Sequence, residues 1–450
     1  MISQTIASFV TNCSYERLPQ EVRELAKHCL LDWMGSAIRG SMEPPALKYA
    51  EVARLEGGNP RATALPDYVK TSVSWAAQIN AAASHTVEMD DLHPTSVLHP
   101  AAPIISAAVA VAESVNASGR QLIEAIVAGY DVGIRAGEAV GRSHYKLWHT
   151  TATCGTFGAT AAASLLLGLT ESQIVEALGS AGTQAAGLWQ FLEDGAMSKQ
   201  LHPAHAASAG ILSAELAKRG FTAAKKIFEG PKGFLAAMST DAEPEMLTEG
   251  LGRSFRIVTN SFKKHASCRH THSSIDSTLI LRNEKKVRAE ALQRLDVHVY
   301  PAAYDLLNGV QPTSAYAAKF CLPFTVAAAL NRGRVGLDEF VDLNASDIRA
   351  TMARVHMTRD ESLAAEYPEK WPARLTATLE SGESISASVE YPKGDSKNPM
   401  TLSELQDKFR ALTEGILPVA QQNHLIGVIE HLEDESAANL WLSVGRNTRA

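Results

Sequence analysis

The sequence predicts a mainly α protein: a large all-α helical domain assembled from both chain ends, with a smaller α+β unit inserted between its parts. Three observations carry that prediction. Through the first 260 residues, apolar and small side chains recur every three or four positions, the period of a helix with one buried face. Beyond about Val258 the pattern alternates instead, with Leu295, Val297 and Val299 set between Asp296, His298 and Tyr300. Over the last 50 residues helical spacing returns, in a composition like that of the first part. The expected domains are 1–260, 261–395 and 396–450, the last packing back onto the first.

The elements follow in order. After Pro19, Val22, Ala26, Cys29, Leu30, Trp33, Ala37 and Ile38 define an amphipathic helix that Gly40 can stop. Residues 101–115, AAPIISAAVAVAESV, are apolar or small nearly all round, as in a helix buried on every side, and so much alanine lets neighbouring backbones come close. Helices are expected at 121–135, 156–167, 171–178 and 204–219, with a Thr170/Gln173 capping box and Gly220 at a C-terminus. In the inserted unit, RLTATLE and SISASVE flank Ser-Gly-Glu, a hairpin with Gly382 in its turn, and residues 317–331 read as helix. The polar segment 391–400, YPKGDSKNPM, reads as a linker, after which Thr401 and Glu404 cap a new helix.

Composition narrows the function. With 45% hydrophobic and 20% charged residues, the chain has apolar material for a large core, and neither disorder nor a collagen-like fold fits. Lys plus Arg number 42 against 49 Asp plus Glu, a net charge of −7 with no basic block, which argues against nucleic acid. Five widely spaced cysteines without a CxxC suit reduced thiols in a cytoplasmic protein. The N-terminus does not read as a secretory leader, and no apolar run reaches about 18 residues, so no membrane span is expected. GxGxxG after a strand, GxxxxGK[ST], HExxH and GxSxG are all missing, which withdraws the usual support for dinucleotide, P-loop, zincin and α/β-hydrolase chemistry.

Four polar clusters remain. In residues 84–100, SHTVEMDDLHPTSVLHP, a continuing helix would place His85, Glu88 and Asp91 on one face, with Asp90 turned aside and His93 and His99 on the loop around Pro94. Carboxylates this close repel unless they meet cations, protons or water; the alternative is an exposed acidic helix end. In GRSHYKLWHTTATCGTFGAT, His149 precedes residues that open a helix, whose N-terminal N–H groups can hold an anion beside an imidazole. The alternative is a satisfied, partly buried His149 and a solvated His144. In EDGAMSKQLHPAH, Lys199 is flanked by apolar sequence; it either anchors a carboxylate or moves a proton, unless its stem merely lies on apolar neighbours. The fourth cluster, SFKKHASCRHTHSSID, is the densest. Cys268, His270 and His272 could ligate zinc, but Lys263, Lys264 and Arg269 beside them favour an anion-binding patch over a metal, with a solvated basic loop as the alternative. Cations, histidines and a few carboxylates together suit a small polycarboxylate whose C–H is acidified by a neighbouring carboxylate.

Taken in order, HTVEMDDLHPTSVLHP, WHTTATCGTFGATAAASLLLGL, MSKQLHPAHAAS, KKHASCRHTHSSID, AKFCLPFTVAAAL and PKGDSKNP resemble the MmgE/PrpD family, which includes methylcitrate dehydratase, aconitate decarboxylase and iminodisuccinate epimerase. The resemblance implies a helical domain with a smaller α+β lid domain, a homodimer, and lyase or isomerase chemistry on di- or tricarboxylic acids without cofactor or metal. It matches the family's active-site acid to Glu88, its histidines to His99 and His149, and its lysines to Lys199 and Lys263. Two positions depart from the aconitate decarboxylases: Leu92 stands in place of a threonine and Cys268 in place of a histidine. The resulting expectation is a cytoplasmic hydro-lyase (dehydratase) acting on a hydroxylated polycarboxylate. His149 is the expected acid/base with Lys199 as its partner, Lys263 and Arg269 clamp carboxylates from the lid, and Glu88, Asp91 and His99 form the opposite wall. Asp90, His93, Cys268 and His272 are expected to complete the substrate contacts. An epimerase or decarboxylase in the same site is the first alternative, followed by a metal-dependent hydrolase built on Asp90, His93, His99 and the CRHTH histidines.

Overall fold

A computed structural model describes residues 1–442 and 444, and most of them are helical. The chain divides into two units, Met1–Asn260 with Thr401–Ala450, and Ser261–Met400.

In the first unit, the helix Gln20–Gly40 starts directly after Pro19, whose fixed φ suits a helix entry. Every residue from Ala101 to Glu113 is buried in the helix Ala101–Val115. Around it pack Gly119–Ala139, Thr150–Leu166 and Ser198–Lys218, and small residues set how closely they approach. A Cβ on Gly158 would lie 2.7 Å from the carbonyl oxygen of Gly129, and one on Gly210 would lie 2.6 Å from the Ala159 Cβ. Real carbon contacts do not close to that distance, so these crossings require glycine. A larger side chain there would force the helices apart at a cost of about 1–3 kcal/mol or more.

Thr170 with Gln173 and Thr401 with Glu404 form reciprocal capping boxes where the sequence places them, and Ser118 with Gln121 forms a third beyond those expected. Two helices begin about six residues earlier than their apolar periodicity suggests, at Thr150 and at Ser198. The second contains Pro203, which forfeits only its own N–H bond near the helix start and therefore does not end the helix. The unit is not wholly α. Strands β1 (Ala62–Ala64) and β2 (Val69–Thr71) pair antiparallel, with Thr63 opposite Lys70. Their periodicity is too short to stand out in the sequence, and the buried Glu113 carboxylate ties them down by accepting from Thr63 Oγ1 (2.7 Å) and Lys70 Nζ (2.6 Å).

The C-terminal segment packs back on this unit. Its helix Leu402–Thr413 lies against Gln20–Gly40, where a Cβ on Gly35 would already stand 3.2 Å from the Phe409 ring. Lys408 donates to Asp32 Oδ1 (2.5 Å) and to the Met89 carbonyl (2.6 Å), fastening the tail to the acidic stretch.

The second unit is built on a four-stranded sheet. Strand β3 (Leu292–Val299) lies parallel to β4 (Val355–Arg359) and antiparallel to β5 (Ala373–Leu379), which continues through the hairpin to β6 (Ser384–Val389). Val297 faces Met357 and Leu375 across its two ladders. Gly382 takes φ +87° in the hairpin turn, a torsion that costs glycine nothing. The helix His272–Asn283 covers β5 and β6, and Leu322–Arg332 packs alongside it. Residues 391–400 do not form an open linker. Gly394 accepts a bond from the Phe262 N–H (2.8 Å), the Lys393 N–H donates to Asp276 (2.7 Å), and Asp395 is buried. A polar, glycine- and proline-bearing segment looks like a connection, but here its polar groups are the ones the unit uses internally. Among the described residues, no helix is long and apolar enough to cross a membrane.

Candidate active site

The helix that should carry the acidic group stops early. Val73–Thr86 ends before Glu88, which takes φ +59°, a left-handed torsion that costs a residue with a Cβ roughly 1–2 kcal/mol. Glu88, Asp90 and Asp91 therefore leave the helix surface and turn inward on a loop, where all three are buried. This rules out an exposed acidic helix end, and each carboxylate has its own partner. Glu88 Oε1 forms an ion pair with Lys199 Nζ, both side chains nearly inaccessible. Asp90 Oδ2 stands 2.6 Å from His85 Nδ1 and 3.3 Å from His99 Nδ1. Asp91 accepts from the Tyr130 hydroxyl (2.7 Å) and Asn260 Nδ2 (2.7 Å) at one oxygen, and from the Ala101 N–H (3.0 Å) at the other. Burial pushes the Asp91 carboxyl up to about 7 in spite of those bonds.

With its oxygens taken, Asp91 acts as a brace for the loop and its neighbours. Its backbone carbonyl accepts from His99 Nδ1 at 2.7 Å, which puts the His99 proton on Nδ1 and the lone pair on Nε2. His93 was expected at the substrate, but its ring spans Ser96 Oγ and Thr259 Oγ1, each at 2.9 Å, so both nitrogens hold the loop in place.

His149 is the N-cap residue of Thr150–Leu166 and is buried. The sequence pairs it with Lys199; in the structure its Nδ1 meets His202 Nδ1 at 3.0 Å, while Lys199 is paired with Glu88. One of the two Nδ1 atoms must donate and the other accept, so the tautomers of the rings are tied together. Burial, reinforced by the charges of His85, His202, Lys199 and His99, pushes His149 well below the usual histidine range. His202 is lowered to about 4, again mainly by burial. His149 is thus a neutral imidazole at neutral pH, walled by the rings of Trp189 at 4.6 Å and His85 at 5.6 Å. His144 is neither solvated nor poised for chemistry. It is buried between the Met238 carbonyl (3.1 Å) and Thr153 Oγ1 (2.8 Å).

His85, Asp90 and His99 bring ligand-capable atoms within 4.8 Å of one another. Two nitrogen or oxygen ligands of a tetrahedral zinc stand roughly 3.3 Å apart, given bonds of about 2.0 Å. The 2.6 Å between His85 and Asp90 is shorter than that and is the distance of a strong hydrogen bond. As arranged, the three form a hydrogen-bonded group.

In the second unit, Lys263, Arg269, His270 and His272 are all buried, which excludes a solvated basic loop. Arg269 Nη2 donates to Ser261 Oγ and Asp395 Oδ2, both at 3.2 Å, while its Nε and Nη1 meet no acceptor among the described residues. His272 donates from Nε2 to the Ser267 carbonyl (3.2 Å), and its Nδ1 likewise meets no partner among the described residues. His270 is turned away to Tyr300 (2.6 Å) and packs on Trp371. Among the described residues, Cys268, His270 and His272 do not gather as metal ligands. Cys268 is buried and takes part in no disulfide among the described residues.

Sequence reasoning missed His85 and His202 as members of the site, and Asp395 as the partner of Arg269. His202 lies three residues after Lys199, one helical turn along the same helix, and His85 lies three residues before Glu88, in the last turn before the loop. That spacing was the available signal.

Two family models match the chain, the MmgE/PrpD N-terminal domain over residues 4–247 and the MmgE/PrpD C-terminal domain over residues 265–434. Among curated proteins, a cis-aconitate decarboxylase-like protein, oryM, of Aspergillus oryzae is 26% identical over 98% of this chain and 97% of its own length. A cis-aconitate decarboxylase of Aspergillus terreus is 27% identical over 92% of this chain and 90% of its own. The Homo sapiens cis-aconitate decarboxylase is 24% identical over 96% and 92%.

Proposed function

Since this chain belongs to the MmgE/PrpD family and is an enzyme of that family, we propose that it is a hydro-lyase that removes water from a hydroxylated di- or tricarboxylic acid, without a cofactor, by taking a proton from the carbon beside a carboxylate. The observation that carries the proposal is the buried set in the helical unit: a neutral His149 locked to His202, next to a Glu88–Lys199 ion pair.

Each part has a task. Neutral His149 accepts the carbon-bound proton. The electron pair left behind spreads onto the adjacent carboxylate as an enediolate, and the Lys199 ammonium steadies that charge in a site where little water screens it. Glu88 holds Lys199 in place through their ion pair. His99 and Asp90 line the same pocket, and Asp91 and His93 hold the loop. In the second unit, Arg269 leaves Nε and Nη1 open as hydrogen-bond donors on a planar guanidinium whose Nη2 is already used, and Lys263, Cys268 and His272 belong with it as carboxylate contacts. A homodimer is the proposed assembly.

Decarboxylation is the second reading, favoured by the relatives, which are cis-aconitate decarboxylases. Leu92 and Cys268, the two positions that depart from the resemblance to aconitate decarboxylases, count against it, because a buried leucine and a buried thiol bring neither a hydroxyl nor an imidazole. Incubating the protein with a panel of hydroxylated and unsaturated di- and tricarboxylic acids in deuterated water separates the readings. Loss of water with no carbon dioxide supports dehydration, carbon dioxide release supports decarboxylation, and exchange with neither supports an epimerase. No reaction and no exchange on any acid would remove the proposal.

A further inference from the structure

We infer that His85, oriented by Asp90, is the general acid that protonates the departing hydroxyl; this rests on the reading of the chain as a hydro-lyase. His85 closes the last turn of Val73–Thr86 and is completely buried. Its Nδ1 lies 2.6 Å from Asp90 Oδ2, so Nδ1 carries the proton and donates it to the carboxylate. Its Nε2 is buried and meets no hydrogen-bond partner among the described residues. Buried polar atoms are nearly always paired, and one that is held in place yet left open points to a ligand that completes it. The ring packs beside two other imidazoles, its centroid 5.6 Å from that of His149 and 5.0 Å from that of His99.

The two central histidines differ in what holds Nδ1. His149 is held by another imidazole and, with burial lowering its pKa, rests neutral, the protonation state a base needs. His85 is held by a carboxylate, which fixes the ring for proton transfer at Nε2. Groups of one type whose environments diverge in this way sort into acid and base.

The step balances. The C–H bond breaks and its proton passes to His149, the electron pair forms the new C=C bond, and the C–O bond breaks with its pair on oxygen. That oxygen takes the proton from His85 Nε2 and leaves as water. His149 ends protonated and His85 neutral, and return of one proton between the rings resets the enzyme with no oxidant or reductant.

The test uses the full chain with His85→Asn, which keeps an N–H for Asp90 and deletes Nε2. Deuterium exchange at the carbon beside the carboxylate and elimination of water are measured on the same acid. Elimination should fall about 10²- to 10³-fold while exchange stays within about threefold of the parent. A fluoro acid in place of the hydroxy acid should restore elimination, because fluoride leaves without a proton. Asp90→Asn should show the same split more weakly, and serves if His85→Asn does not fold. Elimination by His85→Asn within about threefold of the parent would overturn the assignment. So would equal loss of exchange and elimination in a variant with the parent's circular dichroism and melting temperature. A parent enzyme that neither exchanges nor eliminates with any acid removes the hydro-lyase reading, and this inference with it.

Discussion

The stretch from His85 to His99 and the stretch from Lys263 to His272 hold similar inventories of buried charge and imidazole, yet they settle them differently. In the first, partners within the unit meet the charge: Glu88 with Lys199, Asp90 with His85, Asp91 with Tyr130 and Asn260. In the second, Arg269 satisfies only one arm of its guanidinium on Ser261 and Asp395, leaving two buried donors without an acceptor among the described residues. Burying a cation with donors open is costly, and an anionic ligand offsets that cost. On the proposed function, the contrast separates a wall organised in advance for proton transfer from a patch organised for binding.

The largest expected effect breaks the first wall. Lys199→Met leaves Glu88 buried without its cation, so stability should fall by about 3–5 kcal/mol and turnover by roughly 10³-fold or more. The double variant Lys199→Met with Glu88→Gln should recover much of the stability and none of the turnover. Urea unfolding and steady-state kinetics on the four proteins check this, and a single variant as stable as the parent would contradict the reading of the pair.

A smaller effect is expected from the binding patch. Arg269→Lys keeps the charge and loses the guanidinium donors at Nε and Nη1, so KM should rise by about tenfold or more with kcat changed little. A drop in kcat at unchanged KM would move Arg269 from binding to catalysis.

Smaller still is a response to acid that both regions share. His144 and His202 are lowered to about 4 and His270 to about 3, all mainly by burial. Between pH 6.5 and 4 the unfolded chain takes up protons at these positions and the folded chain does not, so stability falls as pH drops through that window. Each of His144 and His202 contributes about 3 kcal/mol to that loss when the window is fully crossed. Asp91, raised to about 7, works in the opposite direction, being protonated in the folded chain where the unfolded one has released its proton. Glu124 and Asp131 are raised too, but these three carboxyls stand against six lowered histidines, His28, His144, His149, His202, His270 and His272, which leaves a net loss, measurable as a melting temperature that decreases from pH 6.5 to 4.5. A flat or rising profile would contradict the buried, neutral state of these rings.

The helical body was legible because its signals are periodic and local: the small-residue face of 101–115, most of 150–166, and two of the three capping boxes. The β3 alternation and the Gly382 hairpin were legible for the same reason. What escaped depends on single torsions and on contacts between distant residues. No periodicity announces that Glu88 turns left-handed, and that turn carries Asp90 back to His85. Pro203 looks like a helix start and so hid the turn that brings His202 to His149. Asp395 sits in a segment with a linker's composition, and only its contact with Arg269 gives it away. The charged members of the site stood out as costly residues in an apolar chain, whereas their partners did not.

The central claim is that the buried, neutral imidazole of His149 moves the carbon-bound proton. Its most direct test follows incorporation of solvent deuterium, by proton magnetic resonance, into the acid that the parent enzyme turns over, and compares His149→Asn. The account predicts exchange by the parent and a loss of at least about 10²-fold in the variant with its fold intact. Exchange at the parent's rate in His149→Asn would contradict it.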